Sequence, residues 1–188
     1  ALSPRSSKRG LAFAAANVLG VTALDLACAQ ELSRREGSLS EDGAVRVIRS
    51  IAINRPADEV YRFWRDLENL PRFMYHLRSV RITEPARSHW VANAPGGATV
   101  AWDAEIVADQ PNELIAWRSV EGAAVENAGT VRFEPLPGGR GTIVRVELEY
   151  RPPGGLAGAA FASIFNESPQ QQLHDELRRL KQVLETGE

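Results

Sequence analysis

The sequence predicts an α+β fold in which a seven-stranded, curved antiparallel sheet wraps around a long C-terminal helix. The first observation is a strand at 45–53 that is followed at once by two short helical segments. The second is a series of six further strands between residues 80 and 150, whose short turns favour antiparallel neighbours. The third is an amphipathic helix that begins near residue 168 and ends the chain.

Residues 45–77 predict a strand, a helix and a second helical turn, in that order. Val45–Ile53 is rich in β-branched residues, and Pro56 then suits the first turn of a helix. Apolar residues recur after it with helical spacing: Val60, Phe63, Trp64 and Leu67. The second turn is expected to carry three more apolar side chains: Phe73, Met74 and Leu77. Two such helices in a V can close one end of a half-barrel formed by the sheet.

The later strands are expected at 80–82, 88–92, 99–107, 114–120, 130–134 and 142–150. Two of them alternate cleanly, which directs these apolar side chains to one face: Val100, Trp102, Ala104 and Ile106, and then Val144, Val146, Leu148 and Tyr150. The acidic residues of both strands then face solvent: Asp103, Glu105, Glu147 and Glu149. We expect Arg132 and Arg145 to form cross-strand ion pairs there, rather than a catalytic carboxylate pair.

The C-terminal helix has a start signal, an apolar stripe and a stop signal. Ser168, Pro169 and Gln171 match a capping box with proline at the first helical position. The stripe consists of Leu173, Leu177, Leu180 and Leu184, and Glu176 is expected to lie off it. Gly187 is the stop signal. We expect this helix to lie across the concave face of the sheet.

The segment before residue 45 predicts an appendage, with an apolar helix within 1–32 and a linker at 33–44 before a domain at 45–188. The nineteen residues 11–29 are mostly small and apolar and have the length of a membrane span, but they contain Asn17 and Asp25. Three interpretations stay open: a membrane-associated helix, a helix packed on protein, and a signal peptide. In the first, the domain lies in the cytoplasm, anchored to the inner face of the plasma membrane.

The composition argues against several classes of function. The chain has 188 residues and a net charge of −2, so no general positive field favours nucleic acid. Cys28 is the single cysteine and the three histidines are far apart, so we expect no intrachain disulfide, no metal site and no cofactor. The surface is the expected place for His89 and also for His76, although His76 and Tyr75 lie near the mouth of the sheet, where either could contact a ligand head group.

Large apolar side chains gather on the predicted inner faces of the sheet and the helices. One helix cannot fill the concave side of such a sheet, so the remaining space is expected to form an apolar pocket. The predicted ligand-binding residues are Phe63, Trp64, Phe73, Met74, Trp90, Trp102, Trp117, Phe133, Phe161, Phe165, Leu173 and Leu177. Arg118 points outward if Trp117 points inward, whereas the reversed register would make it a buried anchor for an acidic ligand.

The order and spacing of these elements are similar to those of a known superfamily. The most specific pieces are Arg55–Val60, Asp66–Pro71 and the LIAWRS segment at Leu114–Ser119, within a similarity over about 45–185. The chain resembles the START-like (SRPBCC) superfamily, and within it the polyketide cyclase/dehydrase and coenzyme-Q-binding group. This resemblance implies a helix-grip fold with a pocket for lipids, quinones, sterols or polyketides.

Together these observations predict a hydrophobic-ligand binding or carrier module, tethered to a membrane if residues 11–29 enter a bilayer. The expected partner is a lipid-, quinone- or polyketide-like small molecule. The alternative is an aromatase/cyclase-type enzyme that acts on a polyketide-like substrate in the same cavity. Such a reaction can rest largely on holding a flexible substrate in one geometry, with help from inward polar groups. No catalytic residue is evident in the sequence.

Overall fold

The computed structural model describes residues 44–94, 97–151 and 168–187, all of which belong to one compact unit. Within these ranges, seven strands form one sheet: β1 Val45–Ile53, β2 Leu77–Glu84, β3 Arg87–Asn93, β4 Thr99–Gln110, β5 Leu114–Ser119, β6 Glu126–Pro135 and β7 Thr142–Arg151. Their order is β1-β7-β6-β5-β4-β3-β2, and every neighbouring pair is antiparallel. The predicted sheet is therefore confirmed.

The helices of the described ranges are α1 Ala57–Arg65, a 3₁₀ helix Leu67–Arg72 and α2 Pro169–Thr186. Pro56 precedes α1, and Asp58 and Glu59 occupy its first turn, where acids favour the positive end of the helix dipole. The predicted place of Leu77 in the second helical turn is wrong. Its backbone pairs with Ala92 of β3, so Leu77 begins β2 instead.

Both predicted end signals of α2 are confirmed. The Ser168 hydroxyl accepts a hydrogen bond from the backbone N–H of Gln171 at 3.4 Å, and Gly187 has a φ of +82°. The predicted stripe is buried: Leu173, Leu177, Leu180 and Leu184. The expected position of Glu176 off the stripe is wrong, because only 2% of Glu176 is exposed. It follows Leu173 by three residues, which places it on the same helix face.

Polar contacts hold the end of α2 against the end of β1. The Glu185 carboxylate accepts from the backbone N–H of Asn54 and from Lys181 Nζ, each at 2.7 Å. These two partners, the Asn54 hydrogen bond first, lower the pKa of Glu185. The Arg55 Nε donates to the Leu184 carbonyl at 2.8 Å. This attachment keeps the leucine stripe in the core on the concave side of the sheet.

Several strands run further than the sequence predicts, including β2, which spans Leu77–Glu84 instead of 80–82. β4 continues to Gln110 instead of ending at 107, and β6 begins at Glu126 instead of 130. The first residues of β6 are small or polar, so no apolar alternation marks them, but all four pair with β7, and Ala128 and Gly129 also pair with β5. Register shifts in the β2–β3 and β4–β5 pairs mark irregularities of the bulge type, which bend a sheet.

The convex face of the sheet carries charged side chains, as expected from the alternation. Ion pairs join neighbouring strands there, Arg118 to Glu105 and Arg46 to Glu147, and His89 Nδ1 lies 2.7 Å from Asp103 Oδ1. The predicted ion pairs of Arg132 and Arg145 are wrong. These two residues lie opposite each other in the β6–β7 register, and neither contacts an acid in the part of the chain that the structure describes. The register is set by the buried inner positions Val131 and Val146.

Candidate ligand cavity

A cavity of about 60 Å³ lies on the concave side of the sheet, bounded by β3 to β7 and by the segment between the 3₁₀ helix and β2. Its apolar wall consists mainly of Met74, Leu77, Trp90, Trp102, Trp117 and Leu148. Its polar side chains include those of His76, Asn127 and Tyr150. An apolar cavity with a few polar groups has the composition of a small-molecule binding site.

Three tryptophans on adjacent strands stack to form one wall of the cavity. The rings of Trp90 and Trp102 lie 5.9 Å apart at 26°, and those of Trp90 and Trp117 lie 6.2 Å apart at 18°. Trp90 and Trp102 stand directly opposite each other in the β3–β4 register, which brings their side chains together on the inner face. The stack therefore follows from register and alternation, and it presents aromatic surface to the cavity.

A glycine in β6 makes room for the third tryptophan of this stack. Gly129 is the register partner of Trp117, and a Cβ at Gly129 would lie only 2.2 Å from the Trp117 ring. The indole therefore occupies the space that a side chain on β6 would fill. Any larger residue at this position would push Trp117 away from the sheet.

A polar cluster of His76, Gln172 and Glu176 joins the cavity to α2. His76 Nδ1 lies 2.6 Å from Glu176 Oε1, and the side-chain exposures of the two residues are 16% and 3%. The Gln172 amide donates to Glu176 Oε1 at 3.1 Å and lies 3.0 Å from His76 Nδ1. The expected surface position of His76 is therefore wrong. In the tautomer that carries a proton on Nδ1, this N–H donates a hydrogen bond to the Glu176 carboxylate, which orients the ring.

This cluster was missed because its members are about one hundred residues apart in sequence. His89, by contrast, lies at the surface as expected, beside Asp103. The burial of Glu176 could have been predicted from its spacing of three residues from Leu173, because this spacing places the acid on the buried face of the helix. A buried carboxylate needs a hydrogen-bonding partner, so a histidine near the mouth of the sheet is a natural candidate.

Tyr150 and Asn127 face each other across β6 and β7 at another part of the cavity. Burial raises the pKa of Tyr150 to about 12, so its phenol stays protonated at neutral pH. A surface cleft of about 260 Å³ shares both residues with the cavity, and it also contains Arg118 and Arg151. These shared lining residues place the cleft next to the cavity.

The predicted ligand-binding residues fall into separate groups. Met74, Trp90, Trp102 and Trp117 line the cavity. Trp64, Phe73, Phe133, Leu173 and Leu177 are buried in the core. Phe63 is partly buried between Phe73 and Arg72, whereas Phe161 and Phe165 lie outside the described residues. Arg118 is exposed and paired with Glu105, so the reversed register is wrong. Ligand binding by any of these residues stays a prediction.

A curved antiparallel sheet that grips a C-terminal helix beside an apolar cavity defines the class of helix-grip proteins. Residues 53–178, more than half of the chain, match the family model described as "Polyketide cyclase / dehydrase and lipid transport". The chain belongs to this family. The superfamily and the fold that the sequence resemblance implied are thus confirmed.

Relatives of known structure or sequence agree with this assignment. The chain is 44% identical to a protein of Deinococcus radiodurans whose crystal structure matches with a TM-score of 0.62, covering 76% of this chain and 99% of that one. It is 32% identical over 107 residues to an uncharacterised 17.2 kDa protein of Streptomyces lincolnensis, over 57% of this chain and 69% of the relative. The Zhui aromatase/cyclase from Streptomyces sp. R1128 shares the fold at 18% identity, with a TM-score of 0.60 and coverage of 76% and 94%.

Proposed function

We propose that this chain binds and carries a hydrophobic small molecule or lipid on the concave side of its sheet. The observation that supports this proposal is the cavity walled by Trp90, Trp102 and Trp117. These large aromatic side chains offer much apolar surface, and burying such surface drives the binding of apolar molecules. The family description, which includes lipid transport as well as cyclase and dehydrase activity, supports the same class of ligand.

The size of the cavity indicates how the ligand would be admitted. Its volume of about 60 Å³ is well below the roughly 300–1,000 Å³ of ordinary ligand pockets. A lipid-sized molecule would therefore have to displace side chains of the wall. Met74 is suited to such movement because its unbranched thioether side chain repacks easily.

The proposal is tested by the uptake of an uncharged apolar dye, N-phenyl-1-naphthylamine, whose fluorescence rises in apolar surroundings. We expect Trp117→Ala to weaken dye binding because it removes part of the cavity wall. Asp103→Ala, on the convex face, is the control and is expected to leave binding unchanged. Equal effects of the two substitutions would count against a ligand site in this cavity.

The alternative function is an aromatase/cyclase-type reaction in the same cavity, and the His76–Glu176 pair favours it. A histidine held by a buried carboxylate is a common arrangement for general acid–base catalysis. Enolisation or dehydration of a poly-β-ketone requires proton transfer of this kind. In this version of the proposal, His76 transfers the proton and Glu176 orients its ring.

A matched pair of histidine variants separates the carrier from the enzyme. His76 and His89 each lie near a carboxylate, at 2.6 Å and 2.7 Å, but only His76 lines the cavity. If the chain is an enzyme, a soluble poly-β-ketone should yield cyclised product with the wild type and with His89→Gln, but not with His76→Gln. Retained dye binding without product in any variant would favour the carrier.

The membrane tether and the domain boundary at 33–44 concern residues outside the described ranges. Among the residues that the structure describes, no helix is long and apolar enough to cross a membrane. We propose that residues 11–29 hold the domain at the cytoplasmic face of the plasma membrane. Removal of residues 1–44 should then release a folded domain that melts cooperatively. Recovery of the full chain in the aqueous fraction without detergent would argue against the tether.

A further inference from the structure

One wall of the cavity contains a buried hydrogen-bond donor for which none of the described residues provides an acceptor. Trp102 is 8% exposed, and its indole N–H has no acceptor among the described residues. Native proteins rarely leave a buried donor without a partner, because desolvating it without compensation is unfavourable. The Trp102 side chain forms part of the cavity wall, so a ligand that displaces neighbouring wall side chains can bring an acceptor to this buried N–H.

A neighbouring tryptophan shows how the same strand arrangement satisfies an indole when the sequence provides an acceptor. The Trp90 indole N–H donates to the hydroxyl of Ser88, two residues earlier on the same face of β3, at 2.8 Å. The equivalent position before Trp102 on β4 is Val100, which has no oxygen in its side chain. The unmet donor therefore has a specific cause in the sequence.

We propose that the Trp102 indole N–H is a specificity-determining donor that selects ligands with an acceptor oxygen over equally apolar hydrocarbons. This inference rests on the proposed function, because it assumes that the cavity takes up small apolar molecules. The ligand class it names is a compact aromatic molecule with a carbonyl oxygen, such as an aryl ketone. The ring would contact the tryptophan wall, and the carbonyl would accept from Trp102.

Acetophenone and ethylbenzene are a suitable pair of probes because they have nearly the same shape and differ in the carbonyl oxygen. Binding is followed with the full chain labelled with ¹⁵N in its tryptophan indoles. With acetophenone, the Trp102 indole proton should shift downfield, which reports a new hydrogen bond, and ethylbenzene should cause no such shift. One neutral hydrogen bond should raise the ratio of the acetophenone affinity to the ethylbenzene affinity by about two- to tenfold.

Two variants test whether this preference comes from Trp102. Trp102→Phe keeps an aromatic ring and removes the donor, and Val100→Ser supplies an internal acceptor in place of the ligand. Both should lower the preference for acetophenone by about two- to tenfold while ethylbenzene still binds. Trp64→Phe is the control, because the Trp64 indole N–H also has no partner among residues 44–94, 97–151 and 168–187, but it lies in the core and does not line the cavity.

The outcomes distinguish this inference from the proposed function. If both probes bind and neither Trp102→Phe nor Val100→Ser changes their ratio, the donor role of Trp102 is overturned and the hydrophobic cavity stands. If Trp64→Phe changes the ratio as much as Trp102→Phe does, the effect is general and the inference also fails. If neither probe binds to the wild type, both the inference and binding in this cavity are overturned.

Discussion

Two aromatic clusters lie on the concave side of the same sheet and differ in how their rings meet. The core cluster consists of Tyr61 and Trp64 of α1 together with Phe73 and Phe133, and its rings meet at angles of 54° to 85°. The cavity cluster consists of Trp90, Trp102 and Trp117, whose rings are stacked at 18° and 26°. Angled rings interlock and fill space, whereas parallel rings form a wall. Aromatic composition alone therefore does not distinguish a core from a candidate binding site.

The polar groups beside the two clusters differ in the same way. Next to the core cluster, the Tyr61 hydroxyl donates to Asp109 at 2.5 Å, and Arg65 donates to the same carboxylate at 2.6 Å. Next to the cavity cluster, His76 and Tyr150 belong to the cavity lining. The difference is one of place: the Tyr61–Asp109–Arg65 contacts do not border the cavity, whereas His76, which also contacts Glu176, and Tyr150 line it and can contact a ligand. The predictions below test this division.

The largest expected effect is on the core cluster. Phe73 is fully buried, and its ring contacts Trp64 at 5.3 Å, so Phe73→Ala should destabilise the fold by about 3–5 kcal/mol. Trp117→Ala should destabilise it less, because part of the volume around Trp117 is already open. Chemical denaturation measures both free energies of unfolding. If Trp117→Ala is as destabilising as Phe73→Ala and dye uptake is unaffected, Trp117 is ordinary core.

Gly129→Ala changes the cavity cluster at the β6 position that packs against Trp117. The new methyl group would overlap the Trp117 ring, and we expect it to destabilise the fold by about 1–3 kcal/mol and to displace the indole into the cavity. Dye uptake should fall with it. Arg132→Ala, at an exposed position on the same strand, is the control and should change stability by less than about 0.5 kcal/mol. Normal dye uptake by Gly129→Ala would mean that the position of Trp117 does not shape the cavity.

The sequence was most informative where a local pattern determines the structure. The alternation in β4 and β7, the capping residues of α2 and its leucine stripe each depend on neighbours within a few turns or strand residues. Repeating patterns of this kind are readable without knowing what the segment packs against. They predict the number of strands, the final helix and the side of the sheet that is buried.

The division between core and cavity could not be predicted in this way. Phe73 and Trp117 are both large aromatic residues on inner faces, and only the curvature and the register decide which of them borders open space. The same holds for His76 and Glu176, whose contact joins residues far apart in the chain. Long-range contacts depend on the whole fold, and sequence spacing alone does not determine them.

The smallest expected effect comes from Asp109, which supports only the core cluster. Burial raises the pKa of this carboxyl group, but the hydrogen bonds from Tyr61 and Arg65 and the charge of Arg65 outweigh it, so the pKa is lowered. A lowered pKa means that the ionised group stabilises the folded state above its unfolded pKa of about 3.9. That stabilisation is lost as the pH falls through the folded pKa.

Asp109→Asn should therefore destabilise the fold by about 0.5–1.5 kcal/mol at pH 7, allowing for the partial exposure of the ion pair. The difference from the wild type should stay constant down to about pH 4 and shrink below it, because the wild-type carboxylate is then protonated. Denaturant unfolding at pH 7 and pH 3 measures this pH dependence, with Asp103→Asn on the convex face as the control.

Dye uptake at pH 7 should be unchanged, since Asp109 does not line the cavity. A stability difference that is the same at both pH values would show that the charge of Asp109 does not support the core cluster, and altered dye uptake would show that the two clusters are coupled.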